Sequence, residues 1–131
     1  ATFDVDILPD LESENLDKII GVLSSLNYVP RVSVPVEELK DPQKRDFWHH
    51  EKNMKVFTFI QPNDLKNEVD LMIYHPLQFE DCFERRKSIY VRGKQIPLAS
   101  VQDLLSLKKI AGRPKDLRDI TILERMVKNG V

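Results

Sequence analysis

Residues 55–74 constrain the fold more tightly than any other stretch. Two runs of strand character, 55–60 and 68–74, flank a turn through Pro62, Asn63 and Asp64, the pattern of a β-hairpin. In the second run Val69, Leu71 and Ile73 fall on one side and Glu68, Asp70 and Met72 on the other, so one face of the hairpin is apolar and needs a cover. The chain supplies one. Leu16, Ile19, Ile20, Leu23 and Leu26 recur at helical spacing opposite Glu14, Asp17, Lys18, Gly21, Ser24 and Ser25, which predicts an amphipathic helix of about four turns. Glu12 and Glu14 sit near its start, where the helix dipole favours acid, and Asn27 suits its C-terminal end. Residues 2–8 add a further strand, since Phe3, Val5 and Ile7 alternate with Thr2, Asp4, Asp6 and Leu8 before Pro9 ends the run. Strands and helices interleaved in this way predict an α/β (α+β) fold, a mixed sheet flanked by helices.

A chain of 131 residues is read as one domain, large enough to bury a core without metal or disulfides. Its 41% hydrophobic and 31% charged residues are ordinary for a folded domain, and no apolar run reaches membrane-spanning length, so no membrane partner is expected. Cys82, the single cysteine, is read as a small core residue. With no secretory signal before the first strand, it favours a cytoplasmic setting. The chain opens on Ala1 already in strand pattern, which suggests that an N-terminal segment precedes it. Charge divides unevenly: residues 1–81 hold 16 acidic and 8 basic side chains, and residues 82–131 hold 5 and 12. Such a division suits a nucleotide or nucleic-acid substrate, and equally a dipole satisfied within the fold.

The remaining elements follow in order. Residues 29–36, bounded by Pro30 and Pro35, read as an edge strand. Residues 37–53 are polar, with Asp41-Pro42 as a turn signal, and read as a loop or short helix with Trp48 folded onto the core. His49, His50 and Glu51 there are poor joint metal ligands, because adjacent side chains diverge on either a strand or a helix. Pro76 opens a short helix carrying Leu77, Phe79, Cys82 and Phe83. Residues 88–91 and 95–98 form a second hairpin about Arg92-Gly93-Lys94. Ser100 caps a helix with Asp103 at the third helical position. Lys108 lies within that helix's apolar stripe of Val101, Leu104, Leu105, Leu107, Ile110 and Ala111, while Lys109 lies on its edge, so Lys108 needs a partner or must reach for the surface. Gly112 stops the helix and Pro114 starts the next, gathering Arg113, Lys115 and Arg118 near a helix N-terminus.

Asp4 and Asp6 share one face of the first strand. Two carboxylates so held repel each other unless a cation or proton lies between them, although a bare Asp-x-Asp also fits two acids facing water. If the strand of Glu68 and Asp70 neighbours the first, Asp70 completes a three-carboxylate cluster, with Glu68 as its substitute.

Thr2-x-Asp4-x-Asp6, the later Glu68-Val69-Asp70, and the run from Leu107 through Lys108, Lys109, Ile110, Ala111, Gly112, Arg113, Pro114 and Lys115 to Asp116 resemble the nucleotidyltransferase-fold proteins related to DNA polymerase beta. Within that group the chain is most similar to small prokaryotic members akin to the AbiEii-type toxins of abortive-infection, toxin–antitoxin-like systems. The resemblance covers residues 2–124. It implies that Asp4, Asp6 and Asp70 are catalytic carboxylates binding Mg²⁺ or Mn²⁺, that Lys108 is catalytic and touches substrate, and that Thr2, Arg113, Lys115 and Asp116 lie on the substrate side. The implied reaction is transfer of a nucleoside monophosphate from an NTP to a hydroxyl on RNA, a protein or a small molecule. Members also carry a Gly-Gly or Gly-Ser motif upstream of the Asp-x-Asp strand, which is not in this sequence. Two expectations follow: a fragment that lacks its glycine-motif helix, or a non-catalytic nucleotide- or protein-binding module that retains the fold. A phosphatase of the Asp-x-Asp class is disfavoured, because Ile7-Leu8 stands where that class places Gly-Thr.

Overall fold

The computed structural model describes residues 3–74 and 77–130. The fold is mixed α+β, and the chain divides into two compact units, Ala1–Tyr74 and His75–Val131. Charge follows that division: the first unit holds 14 acidic and 8 basic residues and the second 7 and 12.

In the first unit, β1 (Phe3–Ile7), β2 (Val29–Pro30), β3 (Val56–Gln61) and β4 (Asp64–Met72) form one sheet in the order β1-β4-β3-β2. β3 and β4 are the expected antiparallel hairpin, turning at Pro62-Asn63. β1 lies parallel to β4, with Asp4 opposite Glu68 and Asp6 opposite Asp70. The apolar sides of these strands face the helices: Phe57, Phe59, Val69, Leu71 and Ile73 join Leu16 and Leu23 of α1 (Ser13–Ser25), Leu39, and Trp48 of α2 (Pro42–Lys52) in one buried cluster. Leu16, Leu39 and Leu71 are fully buried, and truncating a leucine in such a place costs about 2–5 kcal/mol. The cluster also fixes which way the strands face, since a one-residue slip would turn Asp70 into the core and Leu71 out of it.

α1 ends on a hydrogen-bonded reversal. Asn27 takes φ 65°, its N–H donates to the Ser24 carbonyl at 3.0 Å, and the Tyr28 N–H reaches back to the Leu23 carbonyl at 2.9 Å, the paired bonds of a Schellman stop. One expectation is corrected beyond this point and one choice is settled. The edge strand stops at Pro30: the Arg31 N–H still donates to the Thr58 carbonyl at 2.9 Å, but a tight turn from Val34 N–H to the Val32 carbonyl follows and leads into a 3-10 helix, Val36–Lys40. Residues 42–52 are a full helix, because Asp41 accepts from the Gln43 N–H at 2.9 Å and Pro42 takes the first helical position.

The second unit contains α3 (Phe79–Glu84), a hairpin of β5 (Lys87–Val91) and β6 (Lys94–Leu98), α4 (Val101–Ala111), a 3-10 turn at Pro114–Asp116, and α5 (Leu117–Lys128). α3 begins three residues after Pro76, which lies outside the described residues. Gly112 ends α4 at φ 59°, with its N–H on the Lys108 carbonyl at 3.0 Å, and Pro114 opens the next turn as expected. Among the described residues, Cys82, Leu107 and Leu123 are the buried apolar side chains of this unit. Burial pushes the Cys82 thiol above its ordinary range.

Candidate functional site

The parallel register of β1 on β4 decides the placement of the acidic residues. Cross-strand partners share a face, and residues two apart on a strand share it too, so Asp4, Asp6, Glu68 and Asp70 lie on the sheet face opposite the helices of their unit. Asp4 and Asp6 are exposed, whereas Asp70 is buried. Thr58, opposite Asp70 on β3, donates its hydroxyl to Asp70 Oδ1 at 2.6 Å. Glu68 is engaged by Arg31, whose guanidinium pairs with Oε1. The neighbour relation of Asp6 and Asp70 is thus present. Among the described residues, however, no three His, Cys, Asp or Glu side chains are arranged to hold one metal ion. Thr2 lies outside the described residues.

His49 and His50 sit on α2 with their rings edge to face, centroids 5.0 Å apart, and each ring has another contact: His49 stacks on Tyr74 with ring centroids 3.5 Å apart, and the His50 Nδ1 N–H donates to the Asp46 carbonyl at 2.9 Å.

A second group of predicted residues gathers between α4 and α5 in the other unit. Asp116, 1% exposed, is its centre. The Arg113 backbone N–H donates to Asp116 Oδ2 at 3.1 Å, the Arg113 Nε donates to the same oxygen at 2.9 Å, and its Nη2 reaches Oδ1 at 3.4 Å. Lys108 Nζ lies 3.4 Å from Asp116 Oδ1 and 3.3 Å from Asp119 Oδ2, with 17% of its side chain exposed. Lys109 is 53% exposed and pairs with Glu124 at 3.3 Å. Of the two lysines, Lys108 is the inward one. A shallow cavity of about 190 Å³ opens beside it, lined by Leu104, Lys108, Asp119, Ile122 and Leu123. Lys115 and Arg118 are exposed.

Burial is the largest single influence on Asp116 and pushes its carboxyl up. The Arg113 side chain, the Arg113 N–H and the charges of Arg113 and Lys108 together outweigh it and hold the group below the ordinary carboxylate range. Asp116 is therefore a fixed anion that orients two cations. Cations held in this way keep donor capacity on their outer sides, since a guanidinium has five N–H groups and an ammonium three.

Sequence reasoning missed one ion pair, between a buried acid and an exposed arginine. Asp103, read as a helix-cap partner of Ser100, does complete the cap: its backbone N–H donates to Ser100 Oγ at 3.1 Å. Its carboxylate, though, receives Arg85 Nε at 3.0 Å and Nη2 at 2.9 Å. That fork, first among the causes, holds Asp103 below the ordinary carboxylate range. Arg85 stands 18 positions upstream at the end of α3, and no local spacing rule links the two residues.

Asp4, Asp6 and Asp70 belong to the first compact unit, and Lys108, Arg113, Lys115 and Asp116 to the second. No helix among the described residues is long and apolar enough to cross a membrane. No family model, curated protein or solved structure matches the chain.

Proposed function

We propose that the protein is a metal-dependent nucleotidyltransferase that moves a nucleoside monophosphate from an NTP to a hydroxyl acceptor on RNA, a protein or a small molecule. The observation that carries the reading is the register setting Asp6 beside Asp70, with Asp4 two residues away on the same face. Strands stand about 4.8 Å apart and alternate residues about 7 Å apart along a strand. Rotation of the exposed Asp4 and Asp6 side chains can therefore bring their oxygens toward those of Asp70. Hard carboxylate oxygens are the donor type that Mg²⁺ and Mn²⁺ take. In this reading Asp4, Asp6 and Asp70 hold the ion. When bound, it lowers the pKa of the acceptor hydroxyl and neutralises charge on the pyrophosphate leaving group. The acceptor oxygen bonds to the α-phosphorus, the bond to the β-phosphate oxygen breaks, and the acceptor proton passes to a carboxylate of the cluster. Thr58 fixes the Asp70 carboxyl through its hydrogen bond. In the other unit Lys108 and Arg113, oriented by Asp116, keep outer donors of the kind that phosphate oxygens accept from. By resemblance, Lys115 and Thr2 are assigned to the substrate side.

A second reading, a non-catalytic nucleotide- or protein-binding module that retains the fold, is favoured by the unformed three-donor cluster. Pyrophosphate release separates the two. The enzyme releases pyrophosphate from NTP with Mg²⁺ or Mn²⁺ and an RNA pool, and Asp6→Asn abolishes it. Nucleotide binding without release at any acceptor would leave the binding module.

A further inference from the structure

The β5–β6 hairpin is exposed along its length, Tyr90 to 73%. A two-stranded ribbon is marginal alone and offers two edges for pairing. These edges are not equivalent. Arg92 and Gly93, at φ 51° and 76°, make the two-residue turn with both residues left-handed. The closing pair Val91/Lys94 therefore bonds across the ribbon, as do Ile89/Ile96 and Lys87/Leu98, while the backbone groups of Tyr90/Gln95 and Ser88/Pro97 point outward. On β6 one outward position is Pro97, which has no N–H to give. On β5 both outward residues, Ser88 and Tyr90, carry N–H and C=O, and no other segment among the described residues hydrogen-bonds to either backbone.

The side chains state what could pair there. One face of the ribbon has Ile89, Val91, Ile96 and Leu98 as an exposed aliphatic centre, with Lys87 at one end and Lys94 at the other. From Arg85 to Gln102 the sequence holds no acidic residue. Arg85 is neutralised by Asp103, but Arg86, Lys87, Arg92 and Lys94 have no ion pair among the described residues. An open main-chain edge with an aliphatic face suits strand addition, whereas single-stranded nucleic acid is bound by stacking on aromatic faces in a basic groove.

We propose that β5 is a docking edge for an extended segment of a partner protein in which apolar and acidic residues alternate. The segment adds as a third strand, with its main chain on Ser88 and Tyr90, its apolar residues on the Ile89 and Val91 face, and its carboxylates on the Ser88 and Tyr90 face, toward Arg86 before the strand and Arg92 at the turn. This inference does not rest on the catalytic reading.

The test titrates the full chain, labelled with ¹⁵N, with a blocked peptide of alternating Val and Glu, the matched Val/Lys peptide, and oligouridylate. The Val/Glu peptide is expected to bind, to shift the Ser88 and Tyr90 amide signals and to slow their hydrogen exchange, and to outcompete the Val/Lys peptide. R86E/R92E, at exposed positions, should weaken the Val/Glu peptide by roughly tenfold, as surface attractions become repulsions, and should improve the Val/Lys peptide. Unchanged Leu107 and Leu123 amide signals verify the fold of the variant, and the two-peptide comparison on the wild-type chain needs no variant at all. Equal binding of both peptides, or binding of neither, overturns the proposal. So does oligouridylate acting more strongly on the same amides, which would make the ribbon a nucleic-acid contact. Self-association that broadens Ser88 and Tyr90 without peptide also overturns it, in favour of a second copy, whose β1 has the same acidic and apolar alternation.

Discussion

Replacing Arg113 by alanine separates the structural from the substrate role of the basic cluster. The substitution removes two side-chain hydrogen bonds to Asp116, at 2.9 and 3.4 Å, but keeps the backbone N–H bond at 3.1 Å and the Lys108 contact at 3.4 Å. Removing a whole partner from a buried ion pair costs about 3–5 kcal/mol, and a hydrogen bond to a charged group is worth about 1.5–3 kcal/mol. Arg113 leaves 32% of its side chain exposed, and Asp116 retains other partners, so the expected loss is near the lower figure, about 2 kcal/mol. For a chain of this size that lowers Tm by roughly 8 °C. The sign with pH follows from Asp116, whose folded pKa is depressed below 3.8. Its contribution is present above the unfolded value and disappears as pH falls through the folded one, so the gap between wild type and variant should narrow below about pH 4. Thermal melts by circular dichroism at neutral pH and at pH 3 read both effects. A variant melting within about 1 °C of wild type at neutral pH, or a gap that widens in acid, would refute the reasoning. If the outer donors of Arg113 also bind phosphate, NTP affinity measured on the folded variant falls as well.

Two further substitutions test the local geometry. K108M should destabilise by about 1–3 kcal/mol, because Asp116 and Asp119 lose a half-buried partner, whereas K109M, at an exposed pair with Glu124, should change stability by less than about 0.5 kcal/mol; urea melts rank the two, and the reverse order would contradict the placement of Lys108. D41A should cost about 1 kcal/mol by removing the cap of α2, with faster hydrogen exchange in the first turn of that helix and unchanged exchange in α4.

The hairpin of β3 and β4, and α1 above it, were legible because each has one dry face, and a single periodicity satisfies both local preference and the core. The same pattern placed Asp70 away from the core. Its register with Asp6 needed the pairing of β1 with β4, which only tertiary structure supplies. Residues 31–35 were misread for a physical reason: Val32 and Val34 alternate as in a strand, but Pro30 and Pro35 remove ladder donors and the chain folds into a turn instead. Asp41-Pro42 was ambiguous in a different way, since an acid followed by proline opens a turn or a helix equally well, and burial of Trp48 on α2 decides between them. Lys108 could be read as inward because its position in the stripe is local. Its partner Asp119 is 11 residues on, across the Gly112 break, and the Arg85–Asp103 fork spans 18, so neither follows from spacing.

The central claim is that Asp4, Asp6 and Asp70 form a divalent-cation site, and calorimetric titration of Mn²⁺ tests it most directly. The wild-type chain should bind Mn²⁺, D4N/D6N and D70N should each lose that binding, and K109M should keep it. Mn²⁺ binding unchanged in D4N/D6N would contradict the assignment, whatever activity the protein proves to have.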